Sequence, residues 1–167
     1  MSKVHHYSAT IKWTGNHGSG TSDYRAYSRE HVLEIKGKPT MPCSSDRVFC
    51  GDATRYNPEE LLVAALSACH MLWYLHLCSV RGIVVVDYVD NAEGTMKELA
   101  DGSGCFTSVV LRPHITVVAG NVKLAEDLHN VAHKMCFIAN SVNFPVRHQA
   151  SVEVCSQVAN NFARDAE

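Results

Sequence analysis

The sequence lacks an excess of charge of either sign. Its 15 Lys and Arg residues nearly balance its 17 Asp and Glu residues, and the formal net charge is −2. No run of basic residues occurs in the chain. Because binding to a nucleic-acid backbone requires a basic patch, we expect no nucleic acid as the main partner.

Long hydrophobic segments are scarce too. The opening residues, MSKVHHYSATIKW, contain no apolar core like that of a signal peptide. The longest strongly apolar stretch, residues 61–69, is far shorter than the roughly 20 residues of a membrane span. We therefore expect a cytoplasmic protein without a membrane partner.

An even-numbered cysteine framework is also missing, since the chain has seven cysteines. A reducing compartment would keep most of them as thiols, and a buried thiol usually acts as a small apolar residue. Cys43 and Cys50 share one polar segment, but their spacing matches no redox or zinc motif. We assign no role to these two cysteines.

The chain is nevertheless long and apolar enough for one globular domain, with 167 residues of which 46% are apolar. Folding at this length should bury roughly 70% of the surface of the unfolded chain, so a core can form without disulfides or a structural metal. We expect one domain over residues 1–158 and a frayed C-terminal tail over residues 159–167.

β-Strand patterns occupy the N-terminal part of the chain. Alternating apolar residues predict a first strand over residues 4–13, and the glycines of residues 15–20 indicate a turn. Residues 24–27 and 31–35 can continue the sheet, and the polar residues 42–56 predict a loop. This part of the chain should therefore form a β-hairpin that leads into a loop.

The main helix has clear start and stop residues. Asn57 suits the N-cap and Pro58 the first helical position, while Glu59 and Glu60 fall where carboxylates favour the positive end of the helix dipole. Gly82 is a natural stop. The segment between is apolar on nearly every face, which predicts a helix buried on all sides, either in the core or against a second subunit.

The second half of the chain predicts strands, a second helix and a last strand. The β-rich segments, interrupted at residues 101–104, indicate an antiparallel meander of residues 83–89, 94–99 and 105–118. A helix with one apolar stripe begins near Asn121, and residues 147–154 alternate as a strand. The whole chain is therefore predicted to run as strands, helix, strands, helix and strand.

Two cysteines lie in motifs that could carry chemistry. Cys69 follows a helix start in NPEELLVAALSAC, ten residues after the first Glu, and Cys136 lies in AHKMCFIANSVNFPV, followed within a few residues by Asn, Ser and a strand. With these motifs, and with its strand, helix and strand order along nearly the whole chain, the sequence resembles the OsmC/Ohr family. These are thiol peroxidases named after osmotically inducible protein C and organic hydroperoxide resistance protein.

The resemblance implies a fold and an assembly. Members are α+β proteins with antiparallel sheets around a long buried central helix. Two chains intertwine into a homodimer, and each active site lies at the subunit interface. The family uses no metal, flavin or other cofactor.

The resemblance also implies a mechanism. Cys69 would attack the O–O bond of an organic hydroperoxide and become a sulfenic acid, which Cys136 would capture as a disulfide. A dithiol, for instance on a lipoylated protein, would then reduce the enzyme. An apolar wall around the thiol would favour alkyl or lipid hydroperoxides over hydrogen peroxide.

Attack requires a thiolate, which a nearby cation stabilises. The family supplies an arginine held by a glutamate, and Glu59 matches the glutamate of the NPE motif. For the arginine, Arg47 comes first by its place in DRVFCGDATRYNPEE, and Arg29 or Arg25 of the N-terminal hairpin comes next. Because ten residues separate Glu59 from Cys69 by about 15 Å along one helix, either the arginine bridges them or Glu59 serves the partner's thiol.

A zinc site is one alternative. His129, His133 and Cys136 fall at i, i+4 and i+7 on the second helix, and imidazole and thiolate are zinc ligands. His70 could join them from the main helix. Against a metal, we expect His129 to be exposed opposite the apolar stripe, and the chain has no CxxC or HExxH motif.

A non-catalytic protein that binds a hydrophobic small molecule in the same pocket is the other alternative. His70, Trp73 and Tyr74 would crowd Cys69 with bulky groups, and Phe137 follows Cys136 where the Ohr branch tends to have proline. These departures bear on the size of the ligand more than on the chemistry of the thiols.

Overall fold

A computed structural model describes residues 3–118 and 121–155, and its elements confirm the α+β class. The predicted tail, residues 159–167, lies outside the described residues. The elements in chain order are β1 (Thr10–Trp13), β2 (His31–Glu34), β3 (Met41–Cys43), α1 (Pro58–Val80), β4 (Val85–Asp90), β5 (Glu93–Glu98), β6 (Gly104–Leu111), β7 (Pro113–Val117), α2 (Val122–Met135), β8 (Val146–His148) and β9 (Ser151–Val154).

The chain forms two compact units, Met1–Leu61 and Leu62–Glu167. The first unit contains the antiparallel sheet β1-β2-β3. Its first strand starts at Thr10, later than predicted, and residues 24–27 form a turn rather than a strand. The cause is Asp23, whose side chain accepts a hydrogen bond from the Arg25 backbone N–H at 2.9 Å and so favours a turn. Residues 41–43 form β3, which extends into the predicted loop.

The second unit contains two three-stranded sheets, β4-β7-β9 and β5-β6-β8. The predicted meander is wrong, because β4 pairs antiparallel with β7 while β5 pairs antiparallel with β6. The predicted last strand is split into β8 and β9, which pair in parallel with β6 and β7. Each end of this segment thus completes a different sheet.

α1 begins and ends where the sequence predicted. The Asn57 side chain accepts a hydrogen bond from Glu60 N at 2.8 Å, and the Glu60 carboxylate accepts one from Asn57 N at 3.2 Å, which makes a capping box. Gly82 has a φ of 70°, a left-handed conformation that suits a glycine after a helix. With 18 residues of mean hydropathy 1.7, α1 also meets the length and composition of a membrane span, a test that core helices of globular proteins pass as well.

The burial of α1 differs from the prediction. Its fully buried residues form one stripe at a spacing of four: Leu66, His70, Tyr74 and Cys78. On the other side, Leu72 is 63% exposed and Val80 is 61% exposed. Within one chain the helix is therefore buried on one side, not on all sides.

α2 has the predicted N-cap, since the Asn121 side chain accepts a hydrogen bond from Leu124 N at 3.0 Å. Ala125, Leu128 and Ala132 of the predicted stripe are buried. His129 is buried as well, so the expectation that it is exposed is wrong. It packs beside Tyr74 of α1, and the two rings stack with centroids 3.9 Å apart.

Candidate functional site

The structure brings the two motif cysteines together. Cys69 lies on α1 and is partly exposed, whereas Cys136 lies just after the end of α2 and is buried. The Cys69 thiol lies near enough to influence the pKa of the Cys136 thiol. Two neighbouring thiols can form a disulfide if their sulfur atoms approach to bonding distance.

The end of α2 sets the position of Cys136. The helix stops at Met135, and the Cys136 backbone is extended, so the chain turns away from the helix at this residue. The Cys136 sulfur accepts a hydrogen bond from the Ala139 N–H at 3.4 Å. Burial, together with the nearby Cys69 thiol, raises the pKa of the Cys136 thiol to about 11, so this group is protonated at neutral pH.

A cavity of about 650 Å³ opens beside Cys69. Its lining residues come from one face of α1 and from the segment after Cys136: Ala65, Ala68, Cys69, Leu72, Trp73, His76, Phe137 and Ile138. None of them is Asp, Glu, Lys or Arg, and the wall is mostly apolar. The cavity therefore suits an organic group rather than a charged ligand.

The bulky residues around Cys69 are arranged differently from the prediction. His70 and Tyr74 point into the core, where both are fully buried, and so they do not line the cavity. Trp73 does line it, with His76 and Phe137 as its aromatic neighbours. His76 was not predicted as a site residue, although its position two helical turns after Cys69 places it on the same face.

Arg29, in the first unit, has a constrained side chain. Its guanidinium carbon lies 4.2 Å from the ring centres of both Tyr24 and Tyr27, and Nη1 donates a hydrogen bond to the Tyr27 carbonyl at 2.7 Å. Nη2 is buried and has no hydrogen-bond partner within the described ranges. These contacts hold the guanidinium in place and leave one donor available.

The other predicted charged residues have different surroundings. Glu59 keeps one carboxylate oxygen, Oε2, buried without a hydrogen-bond partner among the described residues. Arg47 is exposed on a short 3-10 turn, and Arg25 is exposed as well. Arg29 is thus the one of the three predicted arginines whose side chain is fixed by its neighbours.

The predicted zinc ligands do not form a metal site. Across residues 3–118 and 121–155, no group of three or more His, Cys, Asp and Glu is arranged to hold an ion. Four histidines nevertheless lie together in the second unit, and we call them the histidine cluster: His70, His129, His133 and His148. His148, on β8, could not be predicted because nothing in the sequence shows which strand faces the two helices.

The chain is similar to known proteins in both sequence and fold. The sequence profile of a family described as OsmC-like protein matches residues 51–151. None of the curated proteins compared with the chain matches it. Among solved structures, an OsmC-like protein of unknown function from Vibrio cholerae is 32% identical with a TM-score of 0.81, over 89% of this chain and 100% of that one.

Two further structures are more distant. One is a candidate organic hydroperoxide resistance protein from Vibrio cholerae, solved with captopril in one of its active sites. It is 25% identical with a TM-score of 0.64, over 91% of this chain and 94% of that one. The other is the organic hydroperoxide resistance protein OsmC from Legionella pneumophila, 22% identical with a TM-score of 0.60, over 89% and 98% of the two chains.

Proposed function

Because this chain belongs to the OsmC family, we propose that it is a thiol peroxidase that reduces organic hydroperoxides, with Cys69 as the attacking and Cys136 as the resolving residue. The proximity of the two thiols beside an apolar cavity carries the proposal. The difference in burial between the thiols supports the division of roles, since only Cys69 reaches the cavity.

The reaction has two steps. The Cys69 thiolate attacks the terminal oxygen of ROOH, the O–O bond breaks, and the alkoxide leaves as ROH after taking up a proton. Cys69 is then a sulfenic acid. The Cys136 sulfur attacks the Cys69 sulfur, the S–O bond breaks, water leaves, and a disulfide forms. The peroxide gains two electrons in total, one from each thiol.

The apolar cavity supports an organic substrate over hydrogen peroxide. The free energy of a hydrocarbon group falls when the group leaves water and contacts a wall of Ala, Leu, Trp, Phe and Ile side chains. Hydrogen peroxide has no such group. Selection between them would therefore come from binding of the organic part of the substrate.

Arg29 and Glu59 are the charged residues that we propose to serve the thiolate. Arg29 Nη2 and Glu59 Oε2 are buried and have no hydrogen-bond partner within residues 3–118 and 121–155, so a further contact would satisfy them. Ten residues of α1 separate Glu59 from Cys69, about 15 Å along the axis. We therefore propose a homodimer in which a second copy covers the exposed side of α1.

Turnover also requires a reductant. A dithiol, free or on a lipoylated protein, would attack the Cys69–Cys136 disulfide and take its place as the oxidised disulfide. We propose that this cycle runs in the cytoplasm, where thiol reductants are abundant.

The test is to treat the reduced protein with one equivalent of cumene hydroperoxide and then measure its intact mass, its free thiols and its disulfide-linked peptides. We expect a loss of two hydrogens that maps to Cys69 and Cys136, with release of the alcohol. A sample without peroxide is the control. If all seven thiols stayed reduced, the peroxidase proposal would be wrong, and extraction of bound ligand would test the binding alternative.

A further inference from the structure

Phe137 is an unusual residue to find next to a buried cysteine, because its side chain is 67% exposed. Its ring contacts Trp73 of α1 edge to face, with centroids 5.5 Å apart and an interplanar angle of 83°. Trp73 lies four residues after Cys69, and Phe137 directly follows Cys136. One aromatic contact thus joins the two segments that carry the paired thiols.

We propose that Trp73 and Phe137 form a clasp that holds Cys136 against Cys69, and that both are positioning residues for disulfide formation. The inference rests on the proposed function for the reaction that it serves. The geometry of the clasp itself depends only on the described contacts.

The segment after α2 needs such a contact, because the helix ends at Met135. Several hydrogen bonds close the turn that follows, among them one from Asn140 N to the Cys136 carbonyl at 3.0 Å and one from the Ser141 hydroxyl to the Phe137 carbonyl at 2.7 Å. Both bonds lie within the segment itself. They shape the turn but do not attach it to α1.

Side chains make the attachment on either side of the peptide that follows Cys136. Ile138 packs against the core cluster that contains Leu66, while Phe137 contacts Trp73. Trp73 is itself flanked by the His76 ring, whose centroid is 5.9 Å away at an angle of 77°. The indole is therefore held between two rings, and its position on α1 is fixed relative to Cys69.

The reaction gives the clasp a consequence that can be measured. A sulfenic acid on Cys69 has two fates. Attack by Cys136 gives a disulfide and water, whereas attack on a second hydroperoxide adds an oxygen to give the sulfinic acid and releases a second alcohol. The first fate depends on the effective concentration of the Cys136 thiol near Cys69, which a fixed geometry increases.

The size of the effect follows from the energies of aromatic pairs. An edge-to-face contact changes an equilibrium by about 2- to 10-fold beyond the burial of its area. Phe137→Ala should therefore lower the effective concentration of Cys136 at Cys69 by about that factor. The exposed ring contributes little to the core, so the variant should still fold.

The first experiment equilibrates the protein in glutathione redox buffers and quantifies the Cys69–Cys136 disulfide by peptide mapping. For half of the Phe137→Ala protein to form the disulfide, the buffer should have to be more oxidising than for the wild type. The ratio of oxidised glutathione to the square of reduced glutathione should be about 2- to 10-fold higher. Phe137→Tyr, which keeps the ring, should match the wild type. Met135→Ala, on the other side of Cys136 and 42% exposed, is the matched control and should match it as well.

A double-mutant cycle separates the clasp from general loosening. Trp73→Leu should shift the disulfide equilibrium by a similar factor. The double variant, Trp73→Leu with Phe137→Ala, should shift it little more than either single variant does. The proposal would be overturned if the disulfide equilibrium shifted equally in Met135→Ala and Phe137→Ala. It would also be overturned if the equilibrium in Phe137→Ala stayed at the wild-type value. Circular dichroism of each variant confirms that the fold is retained.

The second experiment uses the peroxide reaction. With rising cumene hydroperoxide, Phe137→Ala should accumulate about 2- to 10-fold more sulfinic acid on Cys69 than the wild type. Sulfinic acid at the wild-type level would overturn the role of the clasp in resolution. If no variant reacted with the hydroperoxide while the glutathione equilibria shifted as expected, the proposed function would fail and the clasp would stand.

Discussion

His70 and His129 share a hydrogen bond in the interior of the second unit, with Nε2 of His70 3.0 Å from Nδ1 of His129. The two rings are nearly parallel, at 7°. A neutral imidazole has one donor and one acceptor, so one ring donates and the other accepts. The outer nitrogens, His70 Nδ1 and His129 Nε2, have no hydrogen-bond partner within the described part of the chain.

The histidine cluster predicts that the protein loses stability in acid. Burial lowers the pKa of His70 from 6.5 to about 4, with contributions from His148 and His133. Burial lowers that of His129 to about 3, with contributions from His70 and His148. Below about pH 6.5 these two histidines therefore bind protons in the unfolded chain but stay neutral in the folded chain. The free energy of unfolding falls as the pH is lowered from about 6.5 toward 4.

The measurement is the free energy of unfolding against pH, from urea titrations. Each imidazole that stays neutral contributes a slope of about 1.4 kcal/mol per pH unit in this window. His129→Phe, which keeps a ring on Tyr74, should have a shallower slope. His114→Asn, at an exposed histidine next to Glu153, should leave it unchanged. Parallel curves for His129→Phe and the wild type would contradict the assignment.

Serine variants should separate the roles of the two paired cysteines. Cys69→Ser removes the attacking sulfur, so Cys136 should stay reduced when cumene hydroperoxide is added. Cys136→Ser should react once and stop, with one added oxygen or more on Cys69, because no second thiol resolves the sulfenic acid. Intact mass after a single turnover measures both outcomes, and Cys105→Ser, at an exposed thiol, is the control.

Substitution of the candidate arginines should identify the one that serves the thiolate. Arg29→Ala should slow single-turnover oxidation by about 10-fold or more, since the loss of one charge-assisted contact is worth about 1.5–3 kcal/mol. Arg47→Ala, at an exposed side chain, should have a much smaller effect. The reverse order of the two rates would give the role to Arg47, and Arg112→Ala, in a surface ion pair with Glu93, is the control.

A charge on the exposed side of α1 should disrupt the proposed homodimer. Ala64 is exposed on this side and does not line the cavity, so Ala64→Arg should favour the monomer and lower peroxidase activity together. Analytical ultracentrifugation and single-turnover rates measure the two effects. Asn130→Arg, at an exposed position of α2, should change neither. A monomeric variant with full activity would show that the second copy is dispensable.

The sequence allowed the helices to be predicted better than the sheets. Asn57, Gly82 and Asn121 act through local hydrogen bonds and dihedral angles, which depend only on nearby residues. Strand pairing depends on distant residues, so the pairings of β4 with β7 and of β8 with β6 could not be read from alternation. Alternation shows which residues share a face of a strand, but it does not show the neighbouring strand.

The candidate site was predicted only in part, because some of its contacts also join residues that are far apart in the sequence. The family motifs identified Cys69 and Cys136, and the structure places their thiols near each other. The burial of His129 was missed because a polar residue beside an apolar stripe is usually exposed. Its partner His70 lies 59 residues away in the sequence, so no local pattern could indicate the pair.

The parallel pairings of β8 and β9 also affect the protein while it is being made. Both strands lie after α2, yet they complete two different sheets whose inner strands, β6 and β7, are translated earlier. Until residues 146–154 have left the ribosome, β6 and β7 each present a row of unpaired backbone groups to the solvent. A nascent chain that pauses at this stage offers two sites for strand addition at once, and it is then that a chaperone would have most effect.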